Sequence, residues 1–205
     1  MLGTYRVRSG SLSRLYDYWV KKCDGQRLPS RSAIDPSELA PMLGRLALID
    51  VEPTPLRFRV RLIGSELAEL NGGDSTGRYL EMGREGSSQR DIFNAFAAAV
   101  SLKAGVFAAA AYYRPNWSLG VVLLEALFLP LSNASQTIDM VLAGQGVSLI
   151  GAGPHALSRG LMNHDWIVVQ PITPAAEIEF ATESEAAGGI VFQHHRVMQA
   201  LAGPT

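Results

Sequence analysis

The feature that most constrains the fold of this chain is a regular alternation at positions 57–62. Three apolar residues alternate there with three arginines: Phe58, Val60 and Leu62 with Arg57, Arg59 and Arg61. A two-residue period is typical of a β-strand with one face in a core and the other in water. In a helix the arginines would be swept into the apolar stripe. We therefore predict a strand that buries its three apolar side chains.

The flanking residues predict a hairpin and short helices. Residues 46–51 form a first strand that ends at the breaker Pro53-Thr54-Pro55, so the two strands should pair. After the second strand, Ser65 can cap a short helix over 66–71. Asp35 and Pro36 predict another helix, which Gly44 closes.

An amphipathic helix is predicted near the N-terminus, after Ser11. Its apolar residues recur at helical spacing: Leu12, Leu15, Tyr16, Trp19, Val20 and Cys23. Such a stripe must cover either the open face of the sheet or the matching helix of a second subunit. We assign residues 1–27 to this element, and we hypothesise that Leu12, Leu15, Tyr16 and Trp19 form a dimer interface.

A longer helix is predicted from Gln89 to about Lys103. Its apolar face consists of Ile92, Phe93, Phe96, Ala97 and Val100. Three further strands follow at 106–113, 119–129 and 137–147, which makes five in all. We expect residues 28–148 to form one domain. Residues 149–205 are predicted to be a partly disordered C-terminal extension with an isolated strand at 166–170.

Composition excludes several classes of protein. The 205 residues are 47% hydrophobic with a net charge of −1, which suits a globular domain and argues against nucleic-acid binding. The longest apolar run, 119–131, contains Glu125 and is too short to span a bilayer. The N-terminus lacks a signal peptide, so we expect a cytoplasmic protein. A single cysteine, Cys23, excludes an intrachain disulfide and a multi-cysteine metal site.

The order of elements resembles the PAS fold, an antiparallel five-stranded sheet with helices over one face. Five segments are similar to those of a bacterial PAS family of mostly short, stand-alone proteins: Tyr18-Trp19, LPSRSAIDP at 28–36, FRVRLIGSEL at 58–67, GDSTGR at 73–78 and LPLSN at 129–133. Asn133-Ala134-Ser135 replaces the Asp-Gly turn that usually follows the last motif. The predicted fold class is therefore α+β, a PAS-like five-stranded antiparallel sheet with an N-terminal helix and a C-terminal extension.

The resemblance implies a sensory or interaction role. PAS domains commonly bind a small molecule between the sheet and the long helix, or dimerise through flanking helices. The sequence shows no kinase, cyclase or DNA-binding pattern, so signalling would require a separate protein partner. The alternatives are a ligand-free dimerisation scaffold and, less favoured, a small-molecule enzyme, for which no residue spacing predicts a catalytic site. The sequence leaves the cofactor unknown.

Six residues are the ligand-binding candidates: Phe93, Phe96 and Val100 on the long helix, and Tyr112, Leu123 and Glu125 on facing strands. For the apolar members the alternative is ordinary core packing. Glu125 lies in an apolar strand, where a buried carboxylate is costly. It should be paired with an arginine such as Arg61 or Arg114, protonated, directed to water or bound to a ligand.

Other motifs favour structural roles. The arginines at 57, 59 and 61 share their face of the strand with no aromatic residue of that strand and lie in a nearly neutral protein, so they are best explained as a solvated or subunit-facing ladder. Gly144-x-Gly146 and Gly151-x-Gly153 lack the third glycine of a dinucleotide site. The four histidines, at 155, 164, 194 and 195, lie in the extension, which argues against a metal site and against histidine-ligated haem in the core.

Overall fold

The computed structural model describes residues 7, 9–24, 26–84, 87–113, 121–150 and 168–172, with the backbone alone for 111–113, 121–123, 148–150 and 168–172. Its helices are α1 (Gly10–Cys23), α2 (Ser65–Leu70) and α3 (Ser88–Leu102), with 3₁₀ turns at Arg31–Ala33 and Ala40–Arg45. Its strands are β1 (Leu46–Pro53), β2 (Leu56–Ile63), β3 (Gly105–Tyr113), β4 (Val121–Ser132), β5 (Ile138–Ile150) and β6 (Val168–Ile172).

The six strands form one antiparallel sheet in the order β2-β1-β5-β4-β3-β6. The five predicted strands and the hairpin of β1 and β2 are confirmed. The prediction of an isolated strand at 166–170 is wrong, since β6 pairs with β3 from Gly105↔Ile172 to Ala109↔Val168. A strand added there satisfies the N–H and C=O groups that the edge of β3 would otherwise leave unpaired.

One face of the sheet, here called the α3 face, carries an aromatic layer. Phe58 lies with its ring centroid 5.1 Å from that of Phe93 and 5.3 Å from that of Phe96. Phe96 also packs edge-on against Phe128, at 4.7 Å. All four rings are buried, so α3 is held on the sheet by aromatic contacts as well as by burial of apolar area. The hydroxyl of Ser87 starts this helix by accepting the Arg90 N–H.

The opposite face, here called the α1 face, is covered by the N-terminal helix. Leu12 and Leu15 of α1 lie over Gly144 and Gly146 of β5, where an added Cβ would come within 2.3 Å of Leu15 and within 2.4 Å of Ser9. The indole N–H of Trp19 donates to the carbonyl of Pro130 at 3.2 Å. Because these two glycines have no side chains, α1 can approach the sheet closely at both positions.

A β-bulge corrects the prediction for the arginine strand. Phe58 and Val60 are buried as predicted, but Leu62 is 50% exposed. The register shifts from Ile49↔Val60 to Leu48↔Leu62, so one residue of β2 is left over. Because the bulge breaks the alternation, Leu62 leaves the face that buries Phe58 and Val60.

Two local predictions on the helices are also wrong. Gly64, not Ser65, is the N-cap of α2, and Ser65 is its first residue. Residues 36–39 form turns followed by a 3₁₀ segment rather than one α-helix, since the Asp35 carboxylate accepts from the Ser37 N–H at 2.8 Å. That local bond closes an Asx turn, which competes with helix propagation.

Candidate functional site

The predicted residues on α3 act as core packing. Phe93 and Phe96 are buried by Phe58 and Phe128, and their rings fill the layer between α3 and the sheet. Val100, one turn beyond Phe96, is half-buried at the edge of the same core. Tyr112 and Leu123 lie in β3 and β4, at positions where the structure describes the backbone alone. At Phe93 and Phe96 the layer between α3 and the sheet is occupied by aromatic rings, and a ligand site that also includes Val100, Tyr112 and Leu123 stays a prediction.

Glu125 lies on the other side of the sheet. It is fully buried, and its Oε2 accepts the backbone N–H of Ser9 at 2.9 Å, immediately before α1 begins. A carboxylate at this position also faces the positive end of the helix dipole. Glu125 and Phe128 are three residues apart in an unbroken stretch of β4, so their side chains point to opposite faces. Glu125 therefore cannot line a site with Phe93 and Phe96.

The expected pairing of Glu125 with Arg61 is wrong. Arg61 projects from the exposed part of the sheet and pairs instead with Asp50, at 3.3 Å. Arg114, the other proposed partner, lies outside the described residues.

The proposed dimer residues are buried within a single chain. Leu12, Leu15, Tyr16 and Trp19 are between 0% and 6% exposed, because they pack on the α1 face of the sheet. The apolar stripe of α1 was predicted to cover either the sheet or the matching helix of a second subunit. In the structure it covers the sheet. The homodimer itself remains a prediction.

An open cleft lies on the α3 face, beside α2, at the end of the sheet away from the aromatic layer. Its volume is about 340 Å³, and it is lined by Arg45, Glu66, Leu67, Glu69, Leu70, Gln145 and Val147. Gln145 and Val147 of β5 are half-buried, as are their partners on β4, Ala126 and Leu124. The sheet is thus only partly covered here, and apolar surface remains accessible.

The wall of the cleft depends on a very close backbone approach. A Cβ on Gly64 would lie 2.1 Å from the carbonyl oxygen of Leu43 and 2.5 Å from that of Gly44. Only glycine fits at this N-cap, so α2 starts against the 3₁₀ segment before β1. The Arg45 Nε then reaches the Glu66 carboxylate at 2.6 Å and joins the two segments at the rim.

Sequence reasoning missed this site. Arg45 and Glu66 belong to separate elements 21 positions apart, and no periodicity links them. The signal that could have indicated the cleft is Gln145, a polar side chain between two glycines in a mostly apolar strand.

The arginine ladder forms a second polar surface, on the part of the α1 face that α1 leaves uncovered. Arg57 pairs with Glu52 and lies over the Tyr79 ring, with 4.5 Å between the guanidinium carbon and the ring centroid. Arg59 donates to the Gly77 carbonyl at 3.3 Å. Hydrogen bonds from Tyr79 and then Arg57 lower the pKa of the Glu52 carboxyl below its ordinary value. The three arginines are exposed on this chain, as a solvated or subunit-facing ladder requires, and two of them pair with carboxylates, Arg57 with Glu52 and Arg61 with Asp50.

Comparison of the sequence with protein families finds a match to the PAS domain over residues 7–145. That range covers more than half of the 205 residues, includes α1 and the strands β1 to β4, and ends within β5. The chain belongs to the PAS domain family. The comparisons with curated proteins and with solved structures found no match.

Three of the segments that carried the resemblance meet at one corner of the PAS domain. The Tyr18 hydroxyl accepts the Asp35 N–H at 2.8 Å, and the Trp19 indole donates to Pro130. The Ser132 N–H donates to the carbonyl of Pro29 at 3.0 Å. These motif residues therefore fasten α1 and the segment before β1 to the end of β4.

Two findings on the described part of the PAS domain bear on its chemistry. No group of three His, Cys, Asp or Glu residues comes together there as metal ligands, and all four histidines lie outside that part. No described helix is both long enough and apolar enough to cross a bilayer.

Proposed function

We propose that this PAS domain is a sensory module that binds a small organic molecule in the cleft beside α2. Two observations support the proposal. The aromatic layer under α3 is filled by Phe58, Phe93, Phe96 and Phe128. The cleft combines an apolar floor at Leu67 and Val147 with a few polar groups at its rim, which is the usual composition of a ligand site.

The dimensions of the cleft favour a small ligand. A volume of about 340 Å³ lies near the lower end of the range for small-molecule sites. The opening toward water suits a molecule that exchanges freely, as a sensor requires.

The proposal includes a cytoplasmic, non-catalytic protein that acts through a separate signalling partner and forms a homodimer. The buried positions of Leu12, Leu15, Tyr16 and Trp19 mean that this dimer would use another surface, or that α1 would first leave the sheet. Sedimentation of the purified protein measures its oligomeric state.

Thermal-shift screening against metabolite pools tests the ligand site, because a molecule that binds the native state raises the unfolding temperature. The blocking variant is Val147→Trp, which places an indole on the floor of the cleft. Ser135→Trp, at an exposed position in the turn between β4 and β5, is the matched control. We expect a compound that stabilises the wild type and Ser135→Trp but not Val147→Trp.

Two outcomes would contradict the proposal. A stabiliser that acts equally on Val147→Trp would bind elsewhere. No stabiliser in any pool, together with a tight dimer, would favour the ligand-free scaffold.

A further inference from the structure

The polar groups of the cleft are not balanced in charge. Arg45 and Glu66 neutralise each other through the contact of 2.6 Å between Nε and Oε2. Glu69 lies one turn further along α2 and also lines the cleft. Within the described part of the chain, no cation pairs with its carboxylate. The net charge of the lining is therefore one negative, located on Glu69.

The remaining lining groups limit what a ligand can present. Gln145 offers an amide that both donates and accepts hydrogen bonds. Leu67, Leu70 and Val147 offer apolar contact, and Leu70 is 49% exposed. A molecule that covers Leu70 and Val147 and places a positive group near Glu69 would bury the apolar lining and pair with the negative charge.

We infer that the cleft takes a small organic cation, an amine carried on an apolar group. The inference rests on the proposed function and specifies the ligand class of the same site. An ammonium group donates to the carboxylate of Glu69 and to the amide oxygen of Gln145, and its apolar part lies on Leu70 and Val147. An organic acid would place like charge beside Glu69, with Arg45 already engaged by Glu66.

Three probes of similar shape and different charge test the ligand class: 2-phenylethylamine, 2-phenylethanol and phenylacetate. Dissociation constants are measured by calorimetry at low ionic strength. The amine should bind about fivefold tighter than the alcohol, since an exposed ion pair is worth up to about 1 kcal/mol. Phenylacetate should bind more weakly than either.

Variants locate the preference. Glu69→Gln removes the charge with little change of shape and should abolish the advantage of the amine over the alcohol. Glu69→Lys should reverse the order and favour phenylacetate. Glu81→Gln, an exposed carboxylate that does not line the cleft, is the matched control and should leave all three affinities unchanged. Val147→Trp should weaken every probe.

The outcomes separate this inference from the proposed function. If phenylacetate or the alcohol binds tightest and Val147→Trp blocks it, the ligand class is wrong and the cleft site stands. If the amine binds equally to the wild type, Glu69→Gln and Val147→Trp, it binds elsewhere and the inference fails. If none of the probes binds, the inference also fails. A metabolite that stabilises only proteins with an open cleft would still support the proposed function.

Discussion

The two faces of the sheet are closed in different ways. On the α1 face, large side chains of one helix lie on the glycines of β5, and the layer is sealed along the length of α1. The α3 face is sealed by four phenylalanine rings at one end and opens beside α2 at the other. Alternate residues of β5 face opposite sides of the sheet, since Gly144 and Gly146 lie under α1 whereas Gln145 and Val147 line the cleft. The sealed layers are where stability should be concentrated, and the open end is where binding is feasible.

The largest expected effect separates the sealed part of the α3 face from its open part. Phe96→Ala removes a ring that packs between Phe58 and Phe128, and should lower the free energy of unfolding by about 3–5 kcal/mol. Val147→Ala, at the half-buried floor of the cleft, should cost less than about 1.5 kcal/mol. Urea unfolding measures both. Equal losses would mean that the cleft is as well packed as the aromatic layer.

The second prediction tests the close approach of α1 to Gly144 and Gly146 on the α1 face. Gly146→Ala places a Cβ 2.4 Å from the Cβ of Ser9, so the start of α1 must move, at a cost of about 1–3 kcal/mol. Gly10→Ala is the control, because no atom lies within 4 Å of its added Cβ. It should be neutral or slightly stabilising. If both variants unfold at the same urea concentration, α1 does not depend on a close approach to β5.

The third prediction concerns the buried carboxylate that faces the start of α1. Glu125→Ala removes the acceptor of the Ser9 N–H and should cost about 1–3 kcal/mol. Glu125→Gln keeps an amide oxygen at that position and should cost less. Amide hydrogen exchange should rise at Ser9 more in the alanine variant than in the glutamine variant. The same exchange rate in both would show that the carboxylate does not hold the start of α1.

The fourth prediction uses pH to test the burial of Cys23, the last residue of α1. Burial raises the pKa of the Cys23 thiol from its ordinary value of 9.0 to about 11. The folded chain then keeps its proton where the unfolded chain loses it, so this stabilisation is present below pH 9 and is lost as the pH rises toward 11. Cys23→Ala removes this contribution, so its stability should fall less steeply over that range. Parallel pH profiles of unfolding for the two proteins would contradict it.

The smallest expected effect lies on the exposed arginine ladder. Tyr79→Phe removes the hydrogen bond that contributes most to the lowered pKa of Glu52, so that pKa should rise. Carboxyl chemical shifts followed by NMR measure the titration. Global stability should hardly change, because exposed polar pairs contribute little. A large loss of stability would mean that the arginine ladder stabilises the fold as much as the packed faces of the sheet do.

Much of the fold follows from local pattern. The alternation at 46–62 and the apolar runs at 106–147 predicted the strands, and the spacing of Phe93 and Phe96 predicted the helix that covers them. The site was less accessible to this reasoning. Alternation shows that Glu125 and Leu127 share a face of β4, but it does not show which face α3 covers. The pocket prediction combined residues from both faces for that reason.

The sequence by itself determined the strand and helix periods, the turns and the amphipathic stripe of α1, because these depend on residues close together in the chain. Only the tertiary structure decided that the stripe covers the sheet, that Leu62 turns outward at the bulge and that Arg45 meets Glu66. The physical reason is that strand register, and which helix covers which face of the sheet, depend on contacts between side chains far apart in sequence. The cleft beside α2 lies where these contacts cover the sheet only in part.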